Sequence, residues 1–167
     1  SCNTALEKSQ YFTQVVRTRI GSPYVIEGME KAPSGSRVAG YEANGGFLLG
    51  HDVQRGDRVL RALPTRDATL PMIALLCMAR DQNVALSDLV NQLPPRFTHS
   101  DRLQEVPTST SAQLLAGIVQ DETRLRAIVP LKDAIERIDQ TDGVRIQFAS
   151  GDIVHFRPSG NAPELRC

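Results

Sequence analysis

The sequence predicts an α/β domain followed by an α+β domain with an antiparallel sheet. Three observations lead there. In the first half, β-branched stretches alternate with helix-patterned ones, the order expected of mixed α/β layers. In the second half, VRIQF and DIVHFR are joined by the hairpin turn ASGD, and Val144, Ile146 and Phe148 alternate, as do Val154 and Phe156. Between the halves stands Pro94-Pro95, which stops a helix and marks a domain boundary. The expected domains are therefore 1–94 and 95–167.

Each element has its reason in local chemistry. Phe12 to Ile20 (FTQVVRTRI) is rich in β-branched residues and reads as a strand. Gly21-Ser22-Pro23 supplies a turn, Ser22 as a helix cap and a proline at the first helical position, so YVIEGMEKA is expected to be a short helix. Arg37 to Tyr41 reads as a strand, broken by EANGG and resumed at FLLG. A longer helix is expected over Leu70 to Gln82, with Asp67 capping or preceding it and Met72 and Met78 in its core face. Ser87 is expected to cap the short helix SDLVNQL. Beyond the prolines come a strand near Leu103 to Val106, a helix over Ser111 to Asp121, and the two strands of the hairpin.

The bulk numbers narrow the function. Lys+Arg and Asp+Glu both total 19, so the formal net charge is zero and nothing draws the chain to nucleic acid or to a membrane surface. Any anion site has to be local. The longest apolar runs, such as MIALLCMA, are too short to span a bilayer, and SCNTALEKSQ is not a signal peptide. Cys2, Cys77 and Cys167 lack metal spacing and read as free thiols of a cytoplasmic protein. His51 and Asp52 lack further ligands, and His155 reads as an exposed sheet-face residue.

Two loops carry the chemistry. In GYEANGGFLLG, Glu42 and Asn44 stand two apart with glycines behind them. A carboxylate can accept from vicinal hydroxyls and an amide can both donate and accept, which suits a sugar; an Asn-Gly hairpin explains the same residues. In RPSGNAP, Arg157, Ser159, Gly160 and Asn161 assemble a guanidinium, short polar side chains and backbone N–H groups, with Gly160 able to take up conformations closed to other residues. That set suits phosphate; an ordinary surface turn explains it as well.

Together the loops resemble those of the α-D-phosphohexomutases, in which E-x-[SN]-G precedes R-x-S-G-[NT]-x-P. VVRTRIGSPYVIEGM and TDGVRIQF are similar to the segments leading into these loops in phosphomannomutase-type members. The resemblance implies a third domain, in part, followed by the fourth. It implies that Glu42 and Asn44 bind sugar hydroxyls and that Arg157, Ser159, Gly160 and Asn161 hold the phosphate not being transferred. It also implies a full-length enzyme that interconverts hexose 1- and 6-phosphates, of mannose or else glucose, through a phosphoserine and a hexose bisphosphate, with Mg²⁺ bound elsewhere. The serine loop T-A-S-H-N-P and the metal loop D-x-D-G-D-R are absent, and RGDRV at 55 to 59 is no substitute. On that resemblance the chain is a fragment, inactive alone, whose partners are a phosphosugar and the enzyme's N-terminal domains. It departs from the family pattern at Ser22 and Gly46, where related enzymes often have histidine. A free-standing sugar-phosphate-binding module and a structural interaction domain remain as rival readings.

Overall fold

The computed structural model describes residues 4–167, and the chain divides into two compact units, Ser1–Phe97 and Thr98–Cys167. Cys2 lies outside the described residues; Cys77 and Cys167 are free thiols.

The first unit opens with α1 (Ala5–Ser9) and α2 (Ser22–Glu30). Next come the hairpin β1 (Ala39–Tyr41) and β2 (Phe47–Leu49), a separate ribbon of β3 (Val53–Arg55) and β4 (Arg58–Leu60), and β5 (Leu63–Asp67). β2 lies between β1 and β5, and every described strand pair in this unit is antiparallel. Val25 and Met29 of α2 pack with Leu48 of β2 to form the core of this unit, and Ile26 and Val38 close around them. α3 (Thr69–Gln82) and α4 (Leu86–Val90) complete it.

Several expectations change here. Residues 12–20 form no strand, and Phe12, Val16 and Ile20 are exposed. β-branched side chains favour an extended backbone, but a strand needs a neighbour for its N–H and C=O groups, and among the described residues the sheet pairs only β1 with β2 and β2 with β5. Met72 and Met78 are not core: they are 62% and 46% exposed, and only Ala79 of α3 is buried. The apolar residues of α3 run around most of its circumference, and its chief neighbour among the described elements is the short α4. Asp67 precedes α3, whose N-cap is Ala68, and its Oδ1 accepts from the Thr69 N–H at 2.7 Å and at 3.4 Å from that of Leu70. Ser87 is not a cap. α4 begins at Leu86, and Asp88 reaches back to the Ala85 N–H at 3.2 Å.

The second unit is a five-stranded antiparallel sheet in the order β6-β10-β9-β8-β7, with two helices against it. Its elements are β6 (Arg102–Gln104), α5 (Thr108–Gln120), α6 (Glu122–Ile128), β7 (Ile135–Asp139), β8 (Val144–Phe148), β9 (Ile153–Pro158) and β10 (Glu164–Arg166). Val144, Ile146 and Phe148 are 3%, 0% and 0% exposed, and their alternation along β8 sends all three toward Leu115, Ile118, Leu125 and Val129. Burying each such side chain is worth roughly 1.5–3 kcal/mol, so this seam dominates the unit. Asp121 starts α6 by accepting from the Thr123 and Arg124 N–H groups. β7 is not legible in the sequence because a bulge between Ile135 and Arg137 breaks its period of two; Ile135 and Ile138 both reach the core.

The turn from β7 to β8 controls how closely β9 can approach. Asp139 accepts from the Thr141 N–H at 2.8 Å, and Gly143 takes φ +82°. A Cβ at Gly143 would overlap the Phe156 carbonyl and crowd the Arg157 backbone, so glycine is what lets β8 and β9 come together there. Gly151, in the β8–β9 turn, has φ +84° but open space around it. Gly151→Ala is therefore expected to cost about 1–2 kcal/mol of backbone strain, and Gly143→Ala clearly more, because strain and a backbone clash add. Urea denaturation of the two variants beside the parent chain checks the order.

Candidate functional site

The EANGG stretch is a hairpin connection whose geometry aims two side chains. The Glu42 N–H donates to the Gly46 carbonyl at 2.8 Å and the Gly45 N–H to the Glu42 carbonyl at 3.0 Å. Asn44 Oδ1 accepts from the Gly46 N–H at 3.0 Å, so its carbonyl is spent on the turn. Its NH₂ has no partner among the described residues and stands on an exposed residue.

Glu42 behaves differently. Its side chain is only 8% exposed. The Ser22 hydroxyl donates to Oε2 at 3.2 Å, and Arg66 Nη1 approaches the same oxygen at 3.5 Å. Ser22 is thus not the helix cap expected of it. The residue before α2 is Gly21, and among the described residues no side chain caps that end. The first turn of α2 carries no acidic residue of its own, and Glu42 brings a carboxylate to it from the hairpin, where the helix dipole favours negative charge.

In the second unit, β9 delivers Arg157 and stops at Pro158. Arg157 Nε lies 3.6 Å from Asp142 Oδ2, with the two side chains 18% and 22% exposed. That oxygen is buried and has no hydrogen bond among the described residues, and Arg157 is the cation paired with it. The Nη atoms of Arg157 have no partner among the described residues.

The loop after β9 is less open than its composition suggests. The Ser159 N–H donates to the Glu164 carbonyl at 2.8 Å, and the buried Ser159 hydroxyl accepts a long 3.4 Å contact from the Asn161 N–H. Gly160 does not adopt a left-handed φ, contrary to expectation, and a Cβ there would meet nothing within 4 Å. Neither its backbone angle nor a nearby atom requires glycine at this position. Glu164 anchors the base of the loop, its carboxylate held by Arg102 at 3.2 Å and Arg166 at 3.0 Å.

Sequence reasoning missed Asp142, Glu164 and Arg66, because each acts through a partner distant in sequence. His155 is also corrected. It is partly buried on the sheet, and its Nε2 lies 2.6 Å from the Asp142 carbonyl, which makes Nε2–H the donor. Desolvation is the main influence and holds its pKa below the ordinary imidazole value, against the pull of that hydrogen bond. His51 Nδ1 lies 2.9 Å from the Val38 carbonyl, and Asp52 accepts from Arg61 and the Ala62 N–H. Among the described residues no group of three or more His, Cys, Asp or Glu side chains converges on a metal position. No described helix is long and apolar enough to cross a membrane.

Residues 1–97 match the family described as phosphoglucomutase/phosphomannomutase, alpha/beta/alpha domain III. The chain belongs to this family. It is 48% identical over 169 residues to a phosphomannomutase of Salmonella muenchen, a match that takes in 100% of this chain and 35% of the relative. It is 43% identical over 158 residues to a phosphomannomutase of Sinorhizobium fredii, covering 92% of this chain and 33% of that protein. The chain therefore spans about a third of the length of the curated relatives it matches. Within this family member, both places that depart from the expected pattern, Ser22 and Gly46, lie around Glu42: Ser22 bonds it, and Gly46 lies against the side chain of Arg66, which pairs with it.

The environment of His155 makes a pH prediction. Its folded pKa is depressed, so the unfolded chain binds the proton more readily. The contribution is fully present above the unfolded value of about 6.5 and is lost as pH falls from there through the folded value. Denaturation midpoints of the chain should fall between about pH 8 and about pH 5.5, and His155→Gln should flatten that fall. An equal decline in both proteins would assign it to other groups.

Proposed function

We propose that this chain is the part of a phosphohexomutase that binds the sugar and the phosphate not being transferred, with mannose as the hexose and glucose as the alternative. The observation that carries the proposal is shared by both loops. Each holds one side of a charged group inside the protein and leaves the other side without a partner among the described residues: Oε1 of Glu42 and the Nη edge of Arg157. A nearly buried carboxylate with a spare oxygen suits a hydroxyl; a guanidinium with a spare edge suits a phosphate. The two phosphomannomutase relatives support the same reading.

In the proposed reaction, a phosphoserine gives its phosphate to a hexose 1- or 6-phosphate, the hexose bisphosphate reverses its orientation, and the other phosphate returns to the serine. The ligand must then be gripped in two opposed poses. Arg157, the Ser159 hydroxyl and the Gly160 N–H would grip tetrahedral phosphate without reading which carbon bears it. Glu42 and the Asn44 NH₂ would take the middle ring hydroxyls, which stay in similar places in both poses. The residues described do not fit Mg²⁺, so no step is assigned to the metal; it and the phosphoserine belong to the remainder of the proposed enzyme, with which this chain would act.

The proposal is tested on the full-length protein that contains this chain, assayed for interconversion of mannose 1-phosphate and mannose 6-phosphate. Arg157→Ala should weaken phosphosugar binding by about 1.5–3 kcal/mol, the worth of hydrogen bonds to a charged group. Arg157→Lys should recover only part of it, since an ammonium cannot reproduce the planar fork. Calorimetric titration of the three proteins decides the matter, and equal affinities would reduce RPSGNAP to a turn. Glu42→Ala should lower kcat/KM in both directions by a similar factor, because both poses use it. Residues 1–167 alone should show no turnover of either isomer.

A further inference from the structure

We infer that Arg66 is a positioning residue of the sugar loop, holding Glu42 so that Oε1 alone is offered to the sugar, and that Gly46 is glycine in order to admit Arg66. The inference rests on the sugar-binding role proposed for Glu42. Three observations carry it.

The Ser22 hydroxyl and Arg66 Nη1 both address Oε2, at 3.2 and 3.5 Å. A carboxylate oxygen has two lone pairs, so these donors occupy that oxygen. Oε1 has no hydrogen-bond partner among the described residues, yet it is not among the buried atoms left unsatisfied, so it remains approachable. Glu42 therefore presents one defined oxygen and not a freely rotating pair.

The second observation is burial. With only 8% of its side chain exposed, Glu42 gets little help from water, and a buried carboxylate without a cation is costly. Arg66, itself 55% exposed on β5, is the one cation paired with it among the described residues. Ser22 alone would orient the carboxylate without neutralising it.

The third concerns Gly46. Its φ lies outside the left-handed region, so its own backbone does not require glycine. Its neighbour does. A Cβ there would overlap Cγ and Cδ of Arg66, whose stem crosses directly over the residue. Any side chain at this position would push Arg66 away from Glu42. The two overlapping atoms belong to a flexible side chain and the next, Asn44 Oδ1, is 3.2 Å away, so Gly46→Ala should displace Arg66 first, without unfolding the hairpin.

The experiment uses the full-length protein and titrates mannose 6-phosphate together with its 3-deoxy and 4-deoxy analogues. Arg66→Ala should weaken binding of the parent sugar about tenfold, the lower end for a hydrogen bond to a charged group, and Arg66→Lys should restore part of it. Gly46→Ala should reproduce the Arg66→Ala loss, and the double variant should be no weaker than either single one. With the deoxy sugar that lacks the hydroxyl taken by Oε1, the Arg66 effect should disappear. Binding unchanged in Arg66→Ala, single losses that multiply in the double variant, or a loss that persists with both deoxy sugars would each overturn the inference. Should Arg66→Ala fail to fold, as thermal melting would reveal, Arg66→Lys and Gly46→Ala decide by the same criteria. A parent protein that binds no phosphosugar would remove the sugar-binding reading and this inference with it. A parent that binds while its Arg66 variants bind equally well would remove this inference alone.

Discussion

A carboxylate nearly out of reach of water sets the terms for the first unit. Glu42 sits at the start of the β1–β2 connection, where its charge must be met by the protein or not be there at all. Three segments of the chain meet that demand. The start of α2 brings Ser22 and the positive end of a helix dipole; β5 brings Arg66; Gly46, within the hairpin itself, keeps out of the way of the arginine. The register of the small sheet obeys the same logic. Phe47 lies opposite Tyr41 on one side and Asp67 on the other, so the residues flanking the connection are tied to the strand that carries Arg66.

The second unit solves the opposite problem, a cation at the end of a strand. Arg157 is only 18% exposed, and Asp142 compensates it from the neighbouring turn. That pairing depends on the close approach of β8 and β9 at Gly143, and the approach depends on the apolar seam from Val144 to Phe148 being covered by α5 and α6. Packing energy, register and charge placement thus form one chain of causes. Glu164 repeats the motif on the far side of the loop, a buried carboxylate spanned by Arg102 and Arg166 while its carbonyl holds the Ser159 N–H. The formal net charge of the whole chain is zero, so affinity for an anion has to come from such local arrangements.

Much of the architecture was legible in the sequence because local rules act over a few residues. Alternation exposed β8 and β9, turn chemistry exposed both hairpins, and Asp67 announced the start of α3. Where the reading failed, a nonlocal condition had overruled a local one. Among the described residues, FTQVVRTRI has the propensity of a strand but no ladder partner, and α3 has apolar residues but little to cover them; IERID hides its period behind a bulge. Ser22 and Ser87 look like caps, yet Ser22 bonds Glu42 and the end of α4 is served by Asp88.

By itself the sequence determined the residue types at the two loops, the hairpins that present them and the family pattern they match. It did so because turns, alternation and motif spacing are written in consecutive residues. Only the tertiary structure decided which oxygen of Glu42 is held and which is left, that Arg157 leans on Asp142, and that Gly46 answers to Arg66 and not to its own backbone. Each of these contacts joins residues well separated along the chain. Hydrogen-bond saturation and steric overlap are properties of positions in space, which no local pattern encodes.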